Sequence, residues 1–186
     1  MIKKYIKLIV AIALIIIIVI ATPMVNDFII KLRYKKLYSE YVNKYAKEYG
    51  VDANLVYAII KAESNFKEKA ISASNAKGLM QLMYLTAKDV AKKIGIDLNE
   101  ENILEPEINI NIGTKYISTL IQKYNCIEVA LAAYNAGSGN VDGWIEKGTL
   151  KEDGSDIENV PFTETNNYVR KILRDYEIYK KLYEEK

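Results

Sequence analysis

The chain has 186 residues, with 26 lysines and arginines against 24 aspartates and glutamates, a net charge of +2, one cysteine and no histidine. That length gives room for one modest domain plus an appendage, since a single hydrophobic core takes on the order of 100 to 200 residues. The near balance of charge supplies no strong field for nucleic acid; the missing histidine removes histidine triads, histidine general bases and most zinc sites; and Cys126 alone makes neither an intrachain disulfide nor a CxxC metal motif.

Residues 1–7 are a short basic stub carrying Lys3, Lys4 and Lys7, and residues 8–25 are aliphatic from Leu8 to Ala21 and mostly apolar on to Val25. At about 1.5 Å rise per residue such a helix nearly spans a ~30 Å hydrocarbon core, so the segment is predicted to be a transmembrane anchor. The competing reading is a secretory signal peptide cleaved after Ala21. Lys31, Arg33, Lys35 and Lys36 follow the apolar segment and rival the N-terminal lysines. The positive-inside rule therefore leaves the orientation nearly balanced.

Residues 26–47 place Tyr34, Leu37, Tyr38, Tyr41, Val42 and Tyr45 at three- and four-residue intervals, which predicts an amphipathic juxtamembrane helix whose tyrosines pack on a domain spanning 48–183. Gly50 ends it. The next helix starts near Asp52, turns Leu55, Val56, Ile59 and Ile60 inward and runs up to Glu63. After a polar stretch, Gly78 opens an apolar segment, Thr86-Ala87-Lys88-Asp89 has the form of a capping box, and Gly95 closes the helix that follows. Pro106 introduces a helix carrying Ile108, Ile112, Tyr116, Ile117, Leu120 and Ile121; another spans about 127–135 and stops at Gly137 and Gly139. Residues 143–158 read as turns, and a last helix after Pro161 aligns Tyr168, Val169, Ile172, Leu173, Tyr176 and Tyr179. No segment sustains a period of two, so the fold class is all-α.

Glu63 ends an apolar helix, where both the negative end of the helix dipole and desolvation oppose ionisation. A carboxyl kept protonated near neutral pH suits a general acid for glycosidic cleavage. Taken alone, a solvated glutamate at a helix end is the stronger explanation of the residue. Trp144 reads as a core residue in preference to a sugar-stacking platform, and Met80 as core filler. Gln81, set between apolar neighbours, needs partners that sugar hydroxyls would supply; a buried Tyr134 hydroxyl needs one too, and Glu63 is the expected one.

Five ordered motifs stand together: Glu63-Ser64; Gly78-Leu79-Met80-Gln81-Leu82-Met83 with Thr86-Ala87; Asn111-Ile112-Gly113 with Tyr116; Ala133-Tyr134-Asn135-Ala136-Gly137; and Glu164-Thr165 with Tyr168-Val169. In order and approximate spacing the chain resembles soluble lytic transglycosylase domains over roughly residues 40–180. The resemblance implies a lysozyme-like, mostly helical fold following the N-terminal membrane helix, with Glu63 as the single catalytic acid and Ser64 as the serine after it. By the same resemblance Ser72, Gln81 and Met83 line the cleft around the sugar to be cleaved, Tyr134 and Asn135 stand beside the acid, and the last helix contributes Glu164 and Tyr168. Two positions depart from the family pattern: Tyr84 stands where proline commonly follows the second motif, and Asn166 where arginine often follows Glu-Thr.

An ordinary glycosidase pairs two carboxylates, and only one good candidate is present, which fits a reaction in which the substrate supplies the nucleophile. The resemblance thus implies cleavage of the β-1,4 bond between N-acetylmuramic acid and N-acetylglucosamine in peptidoglycan strands, with 1,6-anhydromuramoyl ends and neither metal nor cofactor. It also implies a catalytic domain outside the cytoplasmic membrane. A lysozyme-type hydrolase and a non-catalytic glycan-binding scaffold are the competing functions.

Overall fold

The structure, a computed structural model, describes residues 17–22, 25–26 and 28–183. Most of the expected anchor over 8–25 lies outside the described residues. The chain divides between Lys35 and Lys36 into two compact units. In the first, residues 17–22, 25–26 and 28–33 are helical, with Ile17, Ile18, Val19, Ile20, Val25, Phe28, Ile29 and Leu32 exposed. Among the described residues no helix is long and apolar enough to cross a membrane.

The second unit is helical throughout. Its helices are α1 (Ser39–Tyr49), α2 (Ala53–Glu63), α3 (Tyr84–Lys93), α4 (Pro106–Tyr124), α5 (Ile127–Ala136), α6 (Ser138–Glu146) and α7 (Thr163–Tyr183), with 3₁₀ turns at Asn102–Leu104 and Ile157–Asn159. No strand forms among the described residues; Lys77 makes isolated antiparallel bridges to Ile71 and Leu82.

Helix α1 ends where Gly50 turns left-handed at φ 66° and its N–H donates to the Ala46 carbonyl. It packs on α4 through Val42, Tyr45 and Ala46, and its phenols reach across: Tyr45 donates to Glu107 at 2.8 Å and Tyr49 to Asn111 at 2.6 Å. The helix read from sequence as a juxtamembrane segment is thus built into the second unit from Ser39 onward.

Asp52 caps α2 by accepting the Asn54 N–H. The helix buries every residue from Leu55 to Ile60, on all sides rather than on the one face expected, because α1 covers one flank and α7 another. Helix α5 is the other central element, and its Val129-Ala130-Leu131-Ala132-Ala133 run keeps it thin enough for α4, α6 and α7 to pack around it.

Two boundaries differ from expectation. Helix α3 starts at Tyr84, not at Thr86, and no side chain caps it. The preceding turn, closed by reciprocal backbone bonds between Lys77 and Leu82, already delivers the chain in register. Tyr84 therefore occupies the first helical position, the one that proline favours. Gly139, expected to stop a helix, and Gly143, expected in a turn, both lie inside α6. Gly137 at φ 86° reverses the chain, and burial of Val141 and Trp144 then holds a helix that glycine propensity disfavours. Trp144 is 9 % exposed and meets Phe162 edge-on, a packing role.

Candidate active site

Glu63 is the last residue of α2, half-buried where the helix meets α7. Three successive residues of that last turn are held by one face of α7. Lys61 Nζ donates to Asp175, which is fully buried, at 2.7 Å; Lys171 Nζ donates to the Ala62 carbonyl at 3.1 Å; and the Tyr168 hydroxyl donates to Glu63 Oε1 at 2.6 Å. Positions 168, 171 and 175 share a face because helical side chains three and seven apart align. Burial pushes the Glu63 carboxyl up from an ordinary 4.5 to about 7, while the Tyr168 hydrogen bond and the Lys171 charge hold it from rising further.

Ser64 lies at the foot of the same helix, and its hydroxyl contacts the carbonyls of Ile60 at 3.2 Å and Leu79 at 2.8 Å. It ties the acid-bearing helix to the segment opened by Gly78. That segment is held from beneath by Asn109, fully buried on α4: its Oδ1 accepts the Met80 N–H, and its Nδ2 donates to the carbonyls of Lys77 and Ile103. The fit requires glycine. Gly78 adopts φ 78°, and a Cβ there would stand 2.3 Å from Asn109 Nδ2; a Cβ on Gly113 would stand 2.4 Å from Met80 Sδ.

Gln81 sits at φ 45°, and its side-chain amide donates to the carbonyls of Ala70 at 3.0 Å and Gly78 at 2.8 Å. Its expected need for partners is thus met in part by backbone, and the same bonds staple the 70–81 loop shut. Tyr134 also departs from expectation. Its hydroxyl donates to the Met80 carbonyl at 2.8 Å, and Tyr168, not Tyr134, holds Glu63. The Glu63 charge still acts on the Tyr134 phenol, whose pKa burial raises well above the ordinary value.

Gln81, Leu82, Met83, Thr86, Tyr116, Tyr134, Asn135, Ala136 and Gly137 enclose a cavity of about 240 Å³. Of the expected site residues, Gln81, Met83, Tyr134 and Asn135 line it. Met83 is 48 % exposed at its rim, and the Tyr116 and Tyr134 rings tilt against each other at 5.1 Å. Glu63 and Tyr168 do not line it, although the Glu63 charge acts on the Tyr134 phenol, which does. Ser72 is exposed on the 70–77 loop, where its Oγ accepts the Ala76 N–H, and Glu164 is exposed in the first turn of α7; neither lines the cavity. Larger depressions of about 350 and 480 Å³ beside Ile145 and Glu152 contain none of the expected residues.

The buried Thr165 hydroxyl donates to Asn135 Oδ1 at 2.7 Å, so the Asn135 amide is oriented with its Nδ2 side left to meet a ligand. Asn166 donates to the Ile157 carbonyl, anchoring the loop before α7. Sequence reasoning missed Asn109, Thr165 and Lys171 as parts of the site. Asn109 was detectable: with Ile112, Gly113 and Tyr116 it falls on one helical face, and an amide in that stripe needs buried partners. Thr165 stood within the Glu164-Thr165 motif without a role assigned to it, and Lys171 carries no comparable local signal.

The transglycosylase SLT domain family matches residues 40–156. The soluble lytic murein transglycosylase of Salmonella typhimurium is 34 % identical over 145 residues, covering 76 % of this chain and 22 % of that protein. The membrane-bound lytic murein transglycosylase C of Yersinia pestis (strain Pestoides F) is 38 % identical over 115 residues, covering 56 % and 32 %. Among solved structures, an inactive mutant of lytic transglycosylase Slt from Pseudomonas aeruginosa superposes with a TM-score of 0.73 at 34 % identity, over 81 % of this chain and 25 % of that one. The 70 kDa soluble lytic transglycosylase from Escherichia coli gives 0.72 at 30 % identity, over 82 % and 25 %. The chain spans about a quarter of the length of these two structures.

Proposed function

The chain belongs to the transglycosylase SLT domain family, and from that premise we propose that it is a peptidoglycan lytic transglycosylase with Glu63 as its sole acid and base. The observation that carries this reading is a carboxyl raised to about 7 whose charge acts on Tyr134, in the wall of a cavity whose lining residues include no carboxylate. Near neutral pH such a group populates both protonation states, which suits one residue acting first as acid and then as base.

With Tyr168 on Oε1, the other carboxyl oxygen is left to carry the proton. Glu63 gives that proton to the oxygen linking the C1 of N-acetylmuramic acid to N-acetylglucosamine, and the C1–O bond breaks. The acetamido carbonyl oxygen of the muramoyl sugar bonds to C1 as the leaving group departs. The Glu63 carboxylate then takes the proton of the same sugar's 6-hydroxyl, and O6 displaces the acetamido oxygen from C1. The product is a 1,6-anhydro ring, the carboxyl is reprotonated, and no water is consumed. Asn135 donates from Nδ2 to a sugar oxygen, Tyr116 and Tyr134 form an aromatic wall, and Met83 covers the rim. Tyr168 takes the orienting role toward Glu63.

Product analysis on purified peptidoglycan tests the reading. Anhydromuramoyl ends that disappear in Glu63→Gln are expected. Reducing muramic acid ends would establish a lysozyme-type hydrolase, and glycan binding without cleavage a scaffold. The substrate places the domain outside the cytoplasmic membrane, with the apolar N-terminal segment as its tether; cell fractionation with protease accessibility checks both.

A further inference from the structure

We infer that Lys171 is a positioning residue for Glu63, a cation fastened to the end of α2 that sets the pH range over which the acid works. This rests on the proposed role of Glu63. Helix α2 points its carbonyl terminus, the negative end of its dipole, at the position Glu63 occupies. Lys171 Nζ bonds the Ala62 carbonyl there at 3.1 Å. The ammonium thus offsets the dipole within one residue of the carboxylate, while the lysine itself stays exposed. It does not line the cavity beside Glu63, so it acts on the acid and not on bound sugar.

The other titratable groups around Glu63 do not supply that charge. Tyr168 from α7 and Tyr134 from α5 are phenols that burial keeps neutral through the working range, and Tyr116 from α4 is raised by burial likewise. Lys61, on α2 itself, is directed to the fully buried Asp175. Ser64 and Gln81, from the adjoining turn, are neutral. Among the described residues, Lys171 is the cation whose charge acts on Glu63.

The experiment titrates the Glu63 carboxyl in the full chain by ¹³C NMR with labelled glutamate, the resonance being identified by its loss in Glu63→Gln. Lys171→Met is expected to move the midpoint upward by roughly 0.2 to 0.7 pH unit, the range that a terminal charge on a helix dipole supplies. Lys171→Arg restores the wild-type midpoint. In the glycan-cleavage assay the falling alkaline limb of kcat moves upward by the same amount, because the protonated acid survives to higher pH, and KM does not change. A midpoint that stays in place in Lys171→Met, or moves down, overturns the inference, as does a rate that falls equally at every pH. Should wild-type protein cleave no glycan, the proposed function fails, yet the NMR titration still decides the role of Lys171.

Discussion

The Tyr168 hydroxyl donates to Oε1 of Glu63 at 2.6 Å, joining residues 105 positions apart in the chain. The bond favours the charged carboxylate, opposing the burial that favours the neutral acid. Tyr168→Phe keeps the ring and removes the bond, so the Glu63 pKa rises above about 7. A hydrogen bond to a charged group contributes about 1.5 to 3 kcal/mol, so glycan cleavage falls roughly 10- to 100-fold. A pH profile of kcat, with the thermal midpoint as a folding control, checks both effects.

The Gly78 turn depends on Asn109 as a scaffold depends on a strut. Replacing Asn109 by leucine keeps the branching but strands the Met80 N–H and the Ile103 carbonyl in a buried site, and leaves the Lys77 carbonyl to the Leu82 N–H alone. The expected loss of stability is roughly 3 kcal/mol or more. Denaturant unfolding measures it, with the slope unchanged if the native state stays compact.

The helices were legible in sequence because their apolar residues recur at helical spacing and their ends carry glycine, proline or aspartate. Helix α4 follows that rule closely, whereas α2 and α5 are continuous apolar runs marked by Asp52 at the start of one and Gly137 at the end of the other. Where it failed, tertiary packing outweighed local preference: Gly139 and Gly143 argue against helix, yet buried Val141 and Trp144 hold α6 in place. Glu63 was singled out by its place at the end of an apolar helix together with the five ordered motifs, since position alone favours a solvated surface residue. Its surroundings were only partly legible. The polar demands of Gln81 and Tyr134 were recognised, but their partners are the carbonyls of Ala70, Gly78 and Met80, and backbone partners carry no residue-type signature. The Tyr168, Lys171 and Asp175 contacts to α2 depend on how α7 docks, which no local pattern encodes.

In the proposed site, Thr165 decides which end of the Asn135 amide is presented to substrate. Its hydroxyl occupies Oδ1 at 2.7 Å, and Thr165→Val removes that constraint at nearly constant volume. The amide is then free to rotate, and its substrate contact is made only part of the time. Cleavage is expected to fall about 2- to 13-fold, on the scale of one neutral hydrogen bond, while Thr165→Ser retains the bond and recovers most of the rate. The Glu63 midpoint stays unchanged in Thr165→Val, which separates this effect from that of Tyr168→Phe.

Glu63 also links stability to pH. In the folded chain its carboxyl titrates near 7, against an ordinary 4.5, so folding takes up a proton between those values. The raised pKa means that the protonated acid does no harm to stability below about 4.5, and that the penalty of burying its charge grows as pH climbs from there to about 7. Above that the penalty levels off at roughly 3 kcal/mol, an order-of-magnitude value from about 1.4 kcal/mol per pKa unit. Glu63→Gln cannot ionise and escapes it. The variant is therefore expected to match wild type in stability near pH 4 and to exceed it by up to that amount above pH ~8. Thermal or denaturant unfolding across this range checks the sign. A variant less stable than wild type at alkaline pH would mean that the ionised carboxylate is stabilised by its surroundings, and that Glu63 is not held ready to donate a proton.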